Sequence, residues 1–121
     1  MKLRELLESQ KVLQDLAARP MGARLAYAIA KNIRKANVEY EVYNVARKAI
    51  LVNTNAVTST DSDEVHWSLP EQEKEAETEH TNLLEMGLPD FEPHLVSIEE
   101  FGNIEITPAE LSALFWMIKE T

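Results

Sequence analysis

The chain contains no cysteine, which removes a disulfide framework, a zinc knuckle and a thiol nucleophile from consideration. Glycine occurs only at Gly22, Gly87 and Gly102, so no glycine-rich loop can cradle a phosphate. A P-loop, a dinucleotide fingerprint and a Gly-x-Ser-x-Gly elbow are likewise missing. No apolar run approaches the ~20 residues that a membrane-crossing helix needs. The first residues, Lys2 to Glu8, alternate charged and apolar types, with no apolar core of the kind a signal peptide carries. These absences lead us to expect a protein of a cytoplasm, without a membrane. Basic residues are also scarce, 12 against 21 acidic ones, and the net charge is −9. Direct nucleic-acid binding is therefore not expected, because neutralising phosphates needs a basic surface. An acidic protein that imitates nucleic acid is compatible with the same charge.

What charge there is falls unevenly. Residues 1–50 carry ten Lys or Arg against five Asp or Glu. Residues 51–121 carry two Lys against sixteen acidic residues. Opposite fields on one small protein favour self-association or docking to a polar partner. At 121 residues the chain is expected to form a single domain that buries its own core. Its parts are a basic hairpin over 1–50, a polar loop over 52–64 and an acidic part over 65–121.

Apolar spacing predicts mainly helix. Leu3, Leu6, Leu7, Leu13 and Leu16 share one face of a helix over residues 2–18, which Pro20 should stop. A second helix is expected from Met21 or Gly22, with Leu25, Ile29, Ile33, Ala36, Tyr40 and Tyr43 in one arc. Arg24, Lys31, Arg34 and Lys35 lie opposite that arc. The short link makes the two an antiparallel hairpin. Beyond residue 37 the pattern is ambiguous. Val38, Val42 and Val45 face away from Tyr40 and Tyr43, and Val38–Val42 also alternates as a strand would. Helix is favoured because neither Gly nor Pro interrupts Ala23–Ile50, and it would then be apolar on two sides. Such a helix must be sandwiched within the fold or against another subunit.

Residues 52–64 read as loop, and Val65-His66-Trp67 as a short strand. Three capping boxes follow. Ser68–Glu71 should open an acidic third helix ending near Met86, with Gly87 after it. Ser97–Glu100 should open a single turn closed by Gly102, and Thr107–Glu110 a last helix with an apolar face of Leu111, Leu114, Phe115 and Ile118. Leu95-Val96 and Ile104–Ile106 fit short extended pieces. The expected architecture is an antiparallel long helical hairpin plus two further helices, with minor extended segments. The third helix is polar on nearly all faces up to Leu83. It is either solvated or docked on a basic surface, and the cationic stripe of the second helix is the nearest one.

Chemistry-bearing patterns are sparse. His66, His80 and His94 stand fourteen residues apart, unlike a helical metal pair. Glu71, Glu75 and Glu79 form an i, i+4 ridge without the loop rhythm of a calcium site. We therefore expect no metal, no cofactor and no catalytic residue. The sharpest ligand candidate is a helix start at Gly22 flanked by Arg19 and Arg24, an arrangement suited to an anion. The candidate binding residues are Arg19, Arg24, Lys31, Arg34 and Lys35, with Trp67 as the aromatic expected to be exposed for stacking or partner contact.

The order of segments also carries a likeness. A leucine-rich first helix and Pro20 precede Leu25-Ala26-Tyr27-Ala28-Ile29-Ala30-Lys31-Asn32-Ile33-Arg34-Lys35. Then come Trp67-Ser68-Leu69-Pro70-Glu71, a Glu-rich helix and the segment Ile104–Leu114. This pattern resembles a family of small phage-encoded helical proteins without an assigned activity. The resemblance implies a phage origin and helical architecture, supports helix over residues 38–50, and transfers no catalytic residue. The expected function is a non-enzymatic, homo-oligomeric binding protein that sequesters or blocks a host protein or a small anionic signalling ligand. A virion structural or assembly protein and an acidic DNA mimic are the other readings. A metal-dependent hydrolase built on the acidic helix comes last.

Overall fold

A computed structural model of the chain describes residues 1–58, 64–102 and 104–119. The architecture is mainly α. In chain order it comprises α1 (Leu3–Ala17), α2 (Ala23–Asn53), β1 (Val57–Thr58), β2 (Val65–His66), α3 (Pro70–Leu84), β3 (Val96–Ser97), a 3-10 turn (Ile98–Phe101), α4 (Pro108–Ala113), a second 3-10 turn (Phe115–Met117) and β4 (Ile118–Lys119). β1 pairs antiparallel with β2, and β3 pairs parallel with β4. None of the helices among the described residues is long and apolar enough to cross a membrane.

α2 organises the rest. Its 31 residues extend for about 46 Å, twice the length of α1, so α1 can cover only part of it. Leu13 and Leu16 of α1 pack with Leu25, Ala28 and Ile29, whereas Leu6 packs with Ala36 and Tyr40. The two helices therefore run antiparallel, as the short link requires. α3 covers the far half of α2, where His80 meets Tyr43 and Ala76 meets Ile50 and Leu51. α1 and α3 thus lie end to end along α2. Their junction is closed by Leu3 N–H donating to the Met86 carbonyl and Leu88 N–H to the Met1 carbonyl, both at 2.8 Å. Glu85 there accepts from Lys2 at 2.6 Å and Arg4 at 2.9 Å, a pair of exposed contacts.

The C-terminal segment folds back onto the first half of α2. Val96, Phe101, Leu114 and Met117 complete the main core with the α1 and α2 leucines. Each fully buried leucine contributes roughly 2 kcal/mol of transfer free energy. Asn32 lies at the centre of that core, wholly buried. Its amide oxygen accepts from His94 N–H at 2.7 Å and its amide nitrogen donates to the His94 carbonyl at 2.9 Å. One side chain thereby replaces the strand partner that residue 94 lacks.

Several boundaries differ from the sequence reading. α2 continues to Asn53, past the expected loop start at residue 52. It ends in a Schellman arrangement: Asn55 adopts φ 58°, and Ala56 N–H reaches the Leu51 carbonyl at 2.9 Å. The remainder of the expected loop, residues 59–63, lies outside the described residues. α3 starts one residue later than a Ser68 capping box would have it. Proline holds the preceding Leu69 extended (φ −121°, ψ 134°), so Pro70 becomes the first helical residue and Ser68 caps nothing. In Thr107-Pro108-Ala109-Glu110 the threonine directly precedes the proline, and the box closes with both bonds. α3 stops at Leu84, and Gly87 bridges Lys2 rather than capping the helix. Gly102 closes the turn after Phe101 at φ 53°, ψ −125°, a conformation that favours glycine. The expected apolar face of the last helix is divided. β4 takes Ile118 into a strand, and the intervening turn leaves Phe115 exposed while burying Leu114 and Met117. Ile104–Ile106 forms no strand.

The acidic α3 buries only Ala76. Among the described residues no cation of α2 pairs with one of its carboxylates, so α3 rests on α2 through Ala76 and His80 and its glutamates face solvent rather than the cationic stripe.

Candidate binding groove

The flank of α2 beside the α1–α2 turn forms an open groove of about 800 Å³. Met21, Ile29, Ala30, Ile33 and Val38 give it an apolar lining, and Asn37 and Glu41 line it farther along α2. Two of the candidate cations reach it. Arg34 is exposed along the groove and, among the described residues, makes no ion pair. Arg19 stands at its end but is already engaged. Its guanidinium binds the Glu110 carboxylate through two bonds of 2.6 and 3.1 Å and donates to the Glu105 carbonyl at 2.8 Å. This fork ties the α1–α2 turn to the start of α4. Arg19, together with the Thr107 N–H, pulls the Glu110 carboxyl down to about 2. Glu110 in turn raises the affinity of Arg19 for its proton.

The remaining candidates go elsewhere. Arg24 is exposed beside a shallow cleft with Tyr27, His94 and Glu100. Lys31 Nζ stands 5.4 Å from the centre of the Tyr27 ring, and that ring meets His94 edge-on at 5.9 Å. Lys35 Nζ donates to the Glu92 carbonyl at 2.8 Å. Trp67, expected to be exposed, is half-buried: its indole N–H donates to Thr54 Oγ1 at 2.9 Å, and Thr54 in turn donates to the Ile50 carbonyl. Trp67 lines a small cleft of about 220 Å³ with Ile50, Leu51, Ala76 and His80. His80 Nε2 and Tyr43 Oη share a 2.7 Å hydrogen bond.

The anion site expected at Gly22 has unsuitable surroundings. Gly22 does precede the first turn of α2, and Arg24 is nearby, but Glu99 and Glu100 line the same cleft. Arg19 points away to Glu110. Two carboxylates at the helix start oppose an anion there. Among the described residues, no three His, Asp or Glu side chains come together as a metal site would require.

Sequence reasoning overlooked Asn32, and it named His94 only as one of three spaced histidines and Glu110 only as a capping residue, without their tertiary partners. Asn32 had a visible signal: it is a polar residue inside the apolar arc of the second helix, between Ile29 and Ala36. The partners of His94 and Glu110 had none, since they lie 62 and 91 residues away respectively. Comparison with known proteins found no match among protein-family models, curated proteins or solved structures.

Proposed function

We propose that this chain is a non-enzymatic binding protein of phage origin, acting in the host cytoplasm as a homo-oligomer. It holds a host protein or a small anionic signalling ligand and thereby blocks it. The observation that carries this reading is the groove beside the α1–α2 turn: an apolar floor edged by Arg34, a cation without an ion-pair partner among the described residues. The apolar lining suits a flat or apolar body, Arg34 suits a negative group at its own part of the groove, and Glu41 disfavours one at the end farthest from the turn. The phage origin rests on the sequence resemblance alone.

A thermal-shift screen of nucleotides, run alongside a pull-down from host lysate, tests this reading. A stabilising ligand or a captured protein that is lost in Arg34→Ala and in Ile33→Glu is the expected result. The absence of both a shift and a captured protein would count heavily against it.

A second reading has its own observation. Glu71, Glu73, Glu75, Glu77 and Glu79 are all exposed on α3, as an acidic mimic of DNA would need. It predicts that a DNA-binding enzyme loses activity on contact. Replacing several of these residues with lysine without relieving that inhibition would dismiss it.

A further inference from the structure

The outward face of the second half of α2 is left uncovered by the described residues. Val38, Val42, Val45 and Val52 are between 58% and 74% exposed, and Ala49 is exposed between them. Their separations alternate four, three, four, three, the spacing of a coiled-coil seam. At 100° per residue they occupy an arc of about 80°, opposite Ala36 and Tyr40 on the buried side. Glu41 and Lys48 flank the seam on one edge, seven residues apart. From this geometry we infer that α2 pairs antiparallel with α2 of a second copy through the Val38–Val52 face. The inference rests on the oligomeric part of the function proposed above and names its interface.

Three features select the occupant and its direction. First, the seam from Val38 to Ala49 matches its own reverse: Val42 meets Val45 of the second copy, Val38 meets Ala49, and Val52 falls against the stem of Lys35. Second, that register places Glu41 against Lys48 of the second copy twice, by symmetry. A parallel register would instead set Lys35 against Lys35 within the seam. Third, the charge split is satisfied between copies. α3 begins beside the end of α2, where Trp67 bonds Thr54, and its first turns carry Glu71, Glu73 and Glu75. An antiparallel partner brings Lys31, Arg34 and Lys35 level with that acidic end. A parallel partner would align the two acidic helices side by side, against their mutual repulsion. The seam is short, about 21 Å, so the pairing is reversible and depends on concentration.

Sedimentation equilibrium of the full chain over a concentration series tests the inference. A monomer–dimer equilibrium is expected for the native protein. The double variant V42D/V45D should be monomeric with an unchanged helical circular-dichroism spectrum, since both positions are exposed. Glu41→Lys and Lys48→Glu should each weaken the dimer by about tenfold, because two rim pairs become repulsive. The combined E41K/K48E variant should restore it. The absence of native cysteine allows a clean check of direction. The V38C/A49C variant should cross-link between chains, and Val38→Cys alone should not. A native protein that stays monomeric throughout, a dimer that survives V42D/V45D, or a failure of E41K/K48E to restore pairing would overturn the inference. So would cross-linking by Val38→Cys alone. Val38 and Glu41 belong to both the seam and the groove, so a dimer behaving as expected, with no ligand and no captured protein for either the native chain or monomeric V42D/V45D, would sink the binding reading and leave this interface standing.

Discussion

The two halves of α2 have the same backbone and different surroundings. In the first half, Leu25, Ala28, Ile29, Asn32 and Ala36 are buried, because α1 and the returning C-terminal segment both pack there. In the second half Tyr40 is the one buried residue, and α3 covers a single side. The apolar residues are spread over both halves, so the difference comes from where the later chain folds back. A helix can therefore carry an internal-looking pattern along a stretch that its own chain never encloses.

Substitutions can break this contrast in order of size. Leu16→Ala removes a fully buried side chain facing the first half and should cost about 3 kcal/mol in urea unfolding. Asn32→Ala leaves both backbone groups of His94 without partners and should cost about 2 kcal/mol. In the second half, Thr54→Val removes the hydroxyl that accepts from Trp67 and should cost about 1 kcal/mol by the same measurement. The seam valines should matter least to the isolated chain: Val45→Thr should stay within about 0.5 kcal/mol of the parent when measured at high dilution.

Acid sharpens the comparison from the other side. The folded chain holds the Glu110 carboxyl at about 2, below its usual value of 4.5. The Arg19–Glu110 tie thus contributes stability above pH 4.5, and that contribution is lost as pH falls from there through 2. Glu110→Gln should lower stability at neutral pH and flatten its decline across that window, as acid titration of unfolding midpoints would reveal. Because the tie joins the α1–α2 turn to α4, the loss belongs to the first half of the fold.

Local patterns were readable where one element decided its own shape. The leucine spacing of α1, the long run of α2 and the Thr107–Glu110 cap depend on neighbours within a turn or two. Misreadings arose where a nearby or distant constraint won. At Ser68 the extra residue before Pro70 displaced the cap. Past Ala113 the chain passes through a 3-10 turn into the pairing of Ile118 with Val96, where spacing alone would have continued the helix. For the binding groove, the sequence named Arg19 and Arg34 but not what separates them in role. Glu110, which occupies one and leaves the other free, lies far along the chain, and its local mark is the cap with Thr107, which does not point to Arg19.

The chain has two tryptophans, and the fold sets one against the middle of α2 and the other at its C-terminal tip. Trp116 contacts Phe91 edge-on at 5.8 Å within the cluster around Leu6 and Ala36, whereas Trp67 closes the tip where α2 meets α3. Replacing either with phenylalanine leaves a single fluorophore reporting on one district of the molecule. If the two emission signals fade at different denaturant concentrations, the tip loosens while the body holds. If they coincide, the long rod transmits cooperativity over its full length.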